Sequence, residues 1–174
     1  EGLKGIVDVF HDNTIQVFDG SQANRSPLFA KGKVLVSIWT LDAIAIVNLD
    51  TKTVEWYLAG MWDAQHESEL LPNGNMIIFD NRGDGGQSRI LEFDSFTQEI
   101  VWSYRGTEER PFHTEWCGAV QRLENGNTLI LCAIEVTVPS ISPDPLEDDC
   151  LLEVDPAGGG AEQLLLGAVV PATG

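Results

Sequence analysis

Three histidines are the side chains of this 174-residue sequence that could most readily carry out chemistry. His11 lies in a polar cluster, Phe-His-Asp-Asn-Thr, that leads directly into an apolar run, and His66 lies just before an Asn-Gly hairpin signal. A neutral imidazole can act as a nucleophile or carry a proton, and the alternative for each residue is a structural hydrogen-bonding role. His113 has a cysteine, Cys117, four residues on, but two such side chains are too few for a zinc site.

Two arginines, Arg82 and Arg89, flank a glycine-rich stretch and are the candidate anion-binding cations. A guanidinium near an imidazole would hold a tetrahedral anion by bidentate hydrogen bonds. The alternative is a loop arginine paired with one of the many acidic residues. The same stretch contains Asp80, Asn81 and Asp84, but it lacks the spacing and the terminal glutamate of a calcium-binding EF-hand loop. We therefore predict no metal site.

The charge balance excludes several classes of partner. Twenty-seven acidic residues against ten basic ones give a net charge of −17, whereas a nucleic-acid-binding protein needs a cationic surface. The same charge argues against docking on an anionic membrane, and no apolar run is long enough to span one. The three cysteines are widely spaced, which leaves open buried or free thiols or a single disulfide.

The elements that must position these side chains are short strands. Apolar, β-branched runs of strand length alternate with turn residues, and nothing has the period of a long amphipathic helix. The runs cover residues 33–39, 43–47, 53–58, 75–79, 89–93 and 99–104.

Two motifs repeat at a long period. Asn-Leu-Asp-Thr before Trp56 resembles Glu-Phe-Asp-Ser before Trp102, 46 residues later, and residues 153–158 resemble a third, degraded copy. The Asn-Gly-Asn motif that begins at Asn73 recurs at Asn125, 52 residues later. Periods of 40–50 residues with several strands per unit are typical of propeller blades. The sequence therefore predicts an all-β fold of antiparallel β-propeller repeats, with about three to four blades of a partial or truncated propeller.

We expect residues 1–174 to form a single domain. A Pro-rich, acidic insertion covers residues 139–149, and the blade spacing is lost over residues 156–174, an end that we expect to be poorly ordered. Because a closed propeller usually has at least four blades, self-association that completes or covers the propeller is left open.

From His11 to about Ile130, roughly two thirds of the chain, the sequence resembles the aryl-sulfate sulfotransferase family. The matching segments are residues 10–15, 34–37, 43–46, 65–81, 88–94 and 118–130. The resemblance implies a propeller fold and transfer of a sulfuryl group between phenols through a histidine-bound intermediate, with neither a metal nor a nucleotide sulfate donor. It also suggests a periplasmic or secreted location.

Residue by residue, the resemblance implies that His66 is the nucleophile. It implies that His11 binds the sulfuryl group within a His-x-Asn-Ser/Thr motif, which adds Asn13 to the substrate-binding residues. The family's arginine falls near Trp39, where this sequence has none, and a further family histidine belongs upstream of Glu1. We hypothesise that Arg82 or Arg89 substitutes for the missing arginine.

The resulting functional prediction is sulfuryl transfer from an aryl sulfate to a phenolic acceptor, with no cofactor. The alternative is a non-catalytic propeller that serves as a binding or scaffold module and has lost its chemistry. Trp39 at the position of the family's arginine favours this alternative.

Overall fold

The computed structural model describes residues 9–108, 112–132, 150–157 and 161–164, which form three four-stranded antiparallel sheets. In each sheet the strands are adjacent in sequence order, as in a propeller blade. Blade 1 contains β1 Asp12–Val17, β2 Lys33–Ile38, β3 Ala43–Asn48 and β4 Thr53–Ala59. Blade 2 contains β5 His66–Leu70, β6 Asn75–Asp84, β7 Gln87–Asp94 and β8 Ile100–Arg105. Blade 3 contains β9 Ala119–Arg122, β10 Thr128–Cys132, β11 Cys150–Val154 and β12 Ala161–Leu164.

The predicted all-β fold of antiparallel propeller repeats is confirmed, and three sheets fit a partial propeller. The only helical elements in the described part of the chain are two single-turn 3₁₀ helices, Pro27–Phe29 and Trp39–Leu41. None of the helices described has the length or the apolar character needed to cross a membrane.

The two Asn-Gly-Asn motifs form the same hairpin in blades 2 and 3. Gly74 donates its N–H to the carbonyl of the residue three positions earlier at 2.9 Å, and Gly126 does so at 3.0 Å. Both glycines have a φ near +90°, a conformation that disfavours residues with a Cβ. The side chains of Asn73 and Asn125 each accept the N–H two residues on, at 2.9 Å. The turn chemistry of the repeat is therefore local and can be read from the sequence.

The second repeated motif, which precedes Trp56 and Trp102, aligns differently in the structure and in the sequence. The two alignments differ by two residues. In blade 1 the side chain of Asn48 accepts the N–H groups two and three residues on, and in blade 2 Asp94 does the same. Lys52 and Gln98, each four residues later, both have positive φ. These pairs are 46 residues apart, like Trp56 and Trp102, so the sequence match of Asp50 with Asp94 was wrong.

Two apolar cores hold the blades face to face. The first joins blades 1 and 2 and includes Ile44, Ile46, Met76, Ile78, Leu91 and Phe93, whereas the second joins blades 2 and 3 and includes Ile77, Phe79, Ile90, Val120 and Ile130. Successive residues of β6 alternate between the two cores because side chains alternate across a strand. Blade 2 is therefore buried on both faces, which fixes its strand ends relative to both neighbours.

The cysteines and the end of the chain complete the fold. Cys132 is disulfide-bonded and lies opposite Cys150 in the register of β10 and β11, whereas Cys117 is a free thiol. The insertion predicted over residues 139–149 lies outside the described residues. So does most of the segment 156–174, although β12 lies within it, a strand that the sequence analysis missed.

Candidate active site

The beginnings of the two inner strands β1 and β5 bring two of the predicted residues together. His11 directly precedes β1 and His66 is the first residue of β5. Their ring centroids lie 6.5 Å apart with an interplanar angle of 79°. This gap is wide enough for a tetrahedral anion that accepts a hydrogen bond of about 2.7–3.2 Å from His11 while its central atom faces His66.

A buried glutamine anchors β5 to blade 1. The Gln65 side chain is fully buried, and its amide nitrogen lies within 3.2 Å of three oxygen atoms of the β2–β3 hairpin. The Gln65 carbonyl accepts a hydrogen bond of 2.8 Å from the amide of Asn13 in β1. The Asn13 oxygen accepts from Thr14 at 3.4 Å, so both polar ends of Asn13 are engaged within the chain. This favours a role for Asn13 in positioning the two histidines.

The backbone around the histidines is strained. His11, Ala64 and Glu67 have φ values of +48°, +57° and +34°, which residues with a Cβ rarely adopt. The β5–β6 register shifts by one residue between His66 and Ser68, so Glu67 occupies a bulge. Bulges and positive φ values cluster at functional sites because they redirect particular side chains.

Asn81, near the end of β6, holds the His66 ring. Its amide nitrogen donates to the carbonyls of Thr114 and Cys117 at 2.8 and 2.9 Å, which fixes the orientation of the amide. The Asn81 oxygen therefore faces His66 Nδ1, 2.9 Å away, as an acceptor. In the neutral ring Nδ1 then carries the proton and Nε2 carries the lone pair.

The surroundings of His66 favour that neutral ring. Burial, the largest effect, lowers the pKa of His66 below the ordinary 6.5, and the nearby His11 lowers it further. Hydrogen bonds to Asn81 and to the backbone of Ala64 oppose this effect without reversing it. A neutral imidazole with an unprotonated Nε2 is the form that can attack an electrophile.

Arg82 lies between two tryptophans. Its guanidinium carbon is 4.9 Å from the centre of the Trp116 ring and 5.8 Å from that of Trp39, distances typical of cation–π contacts. The Trp39 ring is in turn 5.3 Å from the His11 ring. An arginine of blade 2 thus lies against Trp39 of blade 1, the residue near which the sequence resemblance placed the missing arginine. An ion pair of 2.6 Å also joins Arg82 to Glu115.

The second candidate arginine, Arg89, is paired with a buried acid. It forms an ion pair of 2.7 Å with the buried Asp80 and donates to the Met61 carbonyl at 2.9 Å. Burial raises the pKa of Asp80, although Arg89 and two backbone N–H groups act in the opposite direction. Asp80 and Asn81 are adjacent in β6, so their side chains lie on opposite faces of the sheet. The contacts of Arg89 are those of the alternative that the sequence left open, an arginine paired with an acid.

Residues outside the sequence prediction complete the site. Asn81 could have been found from the β5–β6 hairpin. His66 pairs with Phe79 in this hairpin, and Asn81 lies two residues after Phe79. Nothing in the sequence indicated Glu115 or Trp116. In the part of the chain that the structure describes, no group of three or more His, Cys, Asp or Glu residues could hold a metal ion.

A separate cavity lies toward the other ends of the same inner strands. It has a volume of about 630 Å³, and its lining includes Val17, Glu69, Leu70 and Arg25. Val17 and Leu70 end β1 and β5, whereas the two histidines lie where these strands begin. The cavity therefore does not belong to the histidine site.

Comparison with solved structures shows the fold. The chain is similar to Kuenenia stuttgartiensis hydrazine synthase, with 11% identity over 91% of this chain and 38% of that chain and a TM-score of 0.52. It is also similar to a protein of unknown function from Bacteroides caccae, with 16% identity over 92% of this chain and 48% of that chain and a TM-score of 0.50. The Dos1 propeller matches with 11% identity, 90% and 36% coverage and a TM-score of 0.49. The chain spans less than half the length of these structures.

Comparison at the sequence level shows the family. No curated protein matches the sequence. The family model described as arylsulfotransferase (ASST) matches residues 3–139, which include His11, His66 and Arg82. Because this match covers most of the chain, the chain belongs to the arylsulfotransferase family.

Proposed function

We propose that the chain transfers a sulfuryl group from an aryl sulfate to a phenol, with His66 as the nucleophile. The observation that carries the proposal is the hydrogen bond of 2.9 Å between His66 Nδ1 and Asn81, whose amide is fixed by two backbone carbonyls. This arrangement leaves Nε2 as the unprotonated nitrogen of a ring whose pKa is lowered by burial. Family membership supplies the reaction class at a general level.

The proposed reaction has two displacements at sulfur. In the first, the Nε2 lone pair forms an N–S bond, the bond between sulfur and the aryl oxygen breaks, and the aryl oxygen leaves with the electron pair as a phenolate. In the second, the oxygen of an acceptor phenol attacks sulfur, the N–S bond breaks and its electron pair returns to Nε2, while the phenolic proton goes to solvent. The Nδ1 proton stays on the ring throughout, held by Asn81.

Arg82 and His11 are the groups that we assign to the sulfuryl oxygens. Arg82 contributes the cation that the sequence lacks at Trp39, and His11 lies 6.5 Å from His66 between ring centroids. Fixed donors aimed at oxygens that gain charge in the transition state are each typically worth about 2.7–4 kcal/mol of barrier. In a chain with a net charge of −17, one local cation matters more than it would in a neutral protein.

The alternative is a propeller of the same family that binds a ligand without transferring a group. Trp39 in place of the family's arginine is the observation that favours it. This alternative predicts that aryl sulfates bind without being consumed. Turnover of the aryl sulfate therefore distinguishes the two proposals.

The test is a transfer assay followed by mass spectrometry. The chain is incubated with 4-nitrophenyl sulfate with and without phenol, and release of 4-nitrophenolate is followed. The proposal expects phenol-dependent release and, without phenol, a protein that carries one sulfuryl group on His66. Asn81→Leu, which removes the hydrogen-bond partner of Nδ1, should slow formation of this adduct. A folded parent that forms no adduct and releases no nitrophenolate would support the non-catalytic alternative.

A further inference from the structure

The Arg82 guanidinium, which the proposed reaction needs, is already paired with an anionic side chain of the same chain, Glu115. A Glu115 carboxylate oxygen lies 2.6 Å from Arg82, and the two side chains are 42% and 29% exposed. The other carboxylate oxygen lies 3.5 Å from His113 Nε2. A ligand from solvent can therefore reach this ion pair, and any anion that approaches Arg82 also approaches Glu115.

The position of Glu115 is set by the same network that holds His66. Asn81 binds the carbonyls of Thr114 and Cys117, which lie on either side of Glu115 in the chain. The backbone N–H of Thr114 also donates to the buried Ser88 hydroxyl at 2.8 Å. These contacts tie the Glu115 loop to blade 2, so its negative charge belongs to the site rather than to a loop that can move away at little cost.

The pair of Arg82 and Glu115 therefore brings no net charge to the site. The charges of Arg82 and Glu115 cancel, and the lowered pKa of His66 favours its neutral form. A bound ligand would then gain attraction from Arg82 but also meet repulsion from Glu115, and both effects grow with ligand charge. The surplus of acidic residues in the rest of the chain adds to the repulsion.

We propose that Glu115 is a specificity-determining residue that selects singly charged sulfate esters against doubly charged phosphate esters. A sulfate monoester carries one negative charge, whereas a phosphate monoester carries about 1.5–2 at neutral pH. Arg82 can neutralise one charge, and Glu115 makes a second one costly. Repulsive groups of this kind are a common source of specificity. The inference deepens the proposed function and rests on it for the identity of the anion site.

The test uses two unreactive ligands of nearly the same shape. Binding of benzenesulfonate, a monoanion, and phenylphosphonate, a dianion above its second ionisation, is measured by calorimetry at a pH above that ionisation. The parent should bind benzenesulfonate more tightly. Glu115→Gln should reduce the ratio of the two affinities about tenfold, mainly by improving phenylphosphonate binding, because it removes the like charge but keeps the side-chain shape.

A matched variant controls for net charge. Glu99→Gln changes the charge of the chain equally but at an exposed residue of the β7–β8 connection, and it should leave the ratio unchanged. Arg82→Gln should weaken binding of both ligands. The inference is overturned if Glu115→Gln leaves the ratio as in the parent, if Glu99→Gln changes it as much, or if the parent binds neither ligand. Since neither ligand can transfer a group, these outcomes are independent of whether the sulfotransferase reaction occurs.

Discussion

Two arginines of this chain, Arg82 of blade 2 and Arg122 of blade 3, occupy similar surroundings against opposite ends of blade 2. Arg82 lies 4.9 Å from a tryptophan ring and pairs with Glu115 at 2.6 Å. Arg122 lies 4.6 Å from a tryptophan ring and pairs with Glu92 at 2.5 Å. The first arginine is at the histidine end of the blade and the second is at the Asn-Gly hairpin end.

The two pairs differ in how completely they are satisfied. Arg122 and Glu92 are only 16% and 9% exposed. Glu92 also accepts hydrogen bonds from Asn73 and Asn75 at 3.0 and 2.6 Å, and Arg122 donates to the Gly126 carbonyl at 3.0 Å. This network joins the hairpins of blades 2 and 3 and leaves little room for a ligand.

The Arg82 pair is more exposed and less complete. The Arg82 Nε is buried and has no hydrogen-bond partner among the described residues, while the Arg82 and Glu115 side chains are 29% and 42% exposed. The same triad of arginine, tryptophan and glutamate therefore joins two blades at one end and lies partly exposed beside the candidate site at the other. Enclosure and the number of satisfied donors decide between the two roles.

The largest expected effect tests which end of the blade carries the chemistry. His66→Gly should reduce transfer on the order of 10⁶-fold, as loss of a covalent nucleophile does elsewhere. Added imidazole should restore part of the transfer in this variant, because it can occupy the vacated space and attack sulfur. The measurement is nitrophenolate release with and without imidazole. Failure of imidazole to restore any activity, in a variant that melts like the parent, would point to a structural role for His66.

The next prediction concerns Arg82. Arg82→Gln should lower transfer by about 10²–10³-fold, the effect of removing one donor to a charged transition state. Its melting temperature should barely change, because an exposed ion pair contributes about 0–1 kcal/mol. Rate and melting curves are measured on the same preparation. A variant that keeps its transfer rate but loses stability would show that Arg82 stabilises the fold and not the transition state.

Arg122 should behave in the opposite way. Arg122→Gln leaves the Glu92 carboxylate enclosed without its cation, and breaking such a pair costs about 3–5 kcal/mol in the free energy of unfolding. Denaturant unfolding should show this loss, while transfer measured well below the melting temperature stays near that of the parent. If Arg122→Gln slowed transfer as much as Arg82→Gln, a purely structural role of Arg122 would be contradicted.

A smaller effect should appear in the pH dependence of transfer. The pKa of His66 is lowered, so the neutral nucleophile persists below pH 6.5 and the acidic limb of the rate profile should lie below that value. Asn81→Asp places a negative charge beside the ring, which raises the His66 pKa and should move the limb up by about one unit. Asn125→Asp adds the same charge at the hairpin end and should leave the limb in place. If the acidic limbs of the parent, Asn81→Asp and Asn125→Asp coincided, the role of His66 as the nucleophile would be contradicted.

The smallest effect should come from the tryptophans. Trp116→Ala removes an exposed cation–π contact worth about 0.5–1 kcal/mol, so the KM for the aryl sulfate should rise a few-fold with kcat nearly unchanged. Trp102→Ala, its counterpart beside Arg122, should lower stability instead. Steady-state kinetics and thermal melts of both variants would test this difference. Trp116 should affect substrate binding and Trp102 should affect stability.

Much of the fold could be predicted because its determinants are local. The strand runs, the Asn-Gly hairpins and the 46-residue spacing of Trp56 and Trp102 depend on neighbours in sequence. The offset could not be predicted, because Asp50 and Asp94 are the same residue type whereas the equivalent turns are set by Asn48 and Asp94. β12 was missed because its short polar sequence carries no strand pattern.

The candidate site was predictable only where a motif named the residue. His11, Asn13 and His66 came from such motifs, whereas the sequence left Arg82 and Arg89 as equal candidates. The structure separates the two arginines by their partners, because Arg82 contacts Trp39 and Trp116 whereas Arg89 pairs with the buried Asp80. Those partners depend on the register of β6 with β7, which is irregular between Asp80 and Asp84, and no spacing in the sequence reveals it.

By itself the sequence determined the blade pattern, the family motifs and the shortage of cations. Only the tertiary structure decided which arginine lies beside the candidate site and which side chains contact it. Arg82 meets Trp39 and Glu115 from positions 43 and 33 residues away, on segments that the apolar faces of three blades bring together. The physical reason is that local hydrogen bonding specifies strands and turns, whereas the packing of whole sheets specifies which distant side chains come into contact.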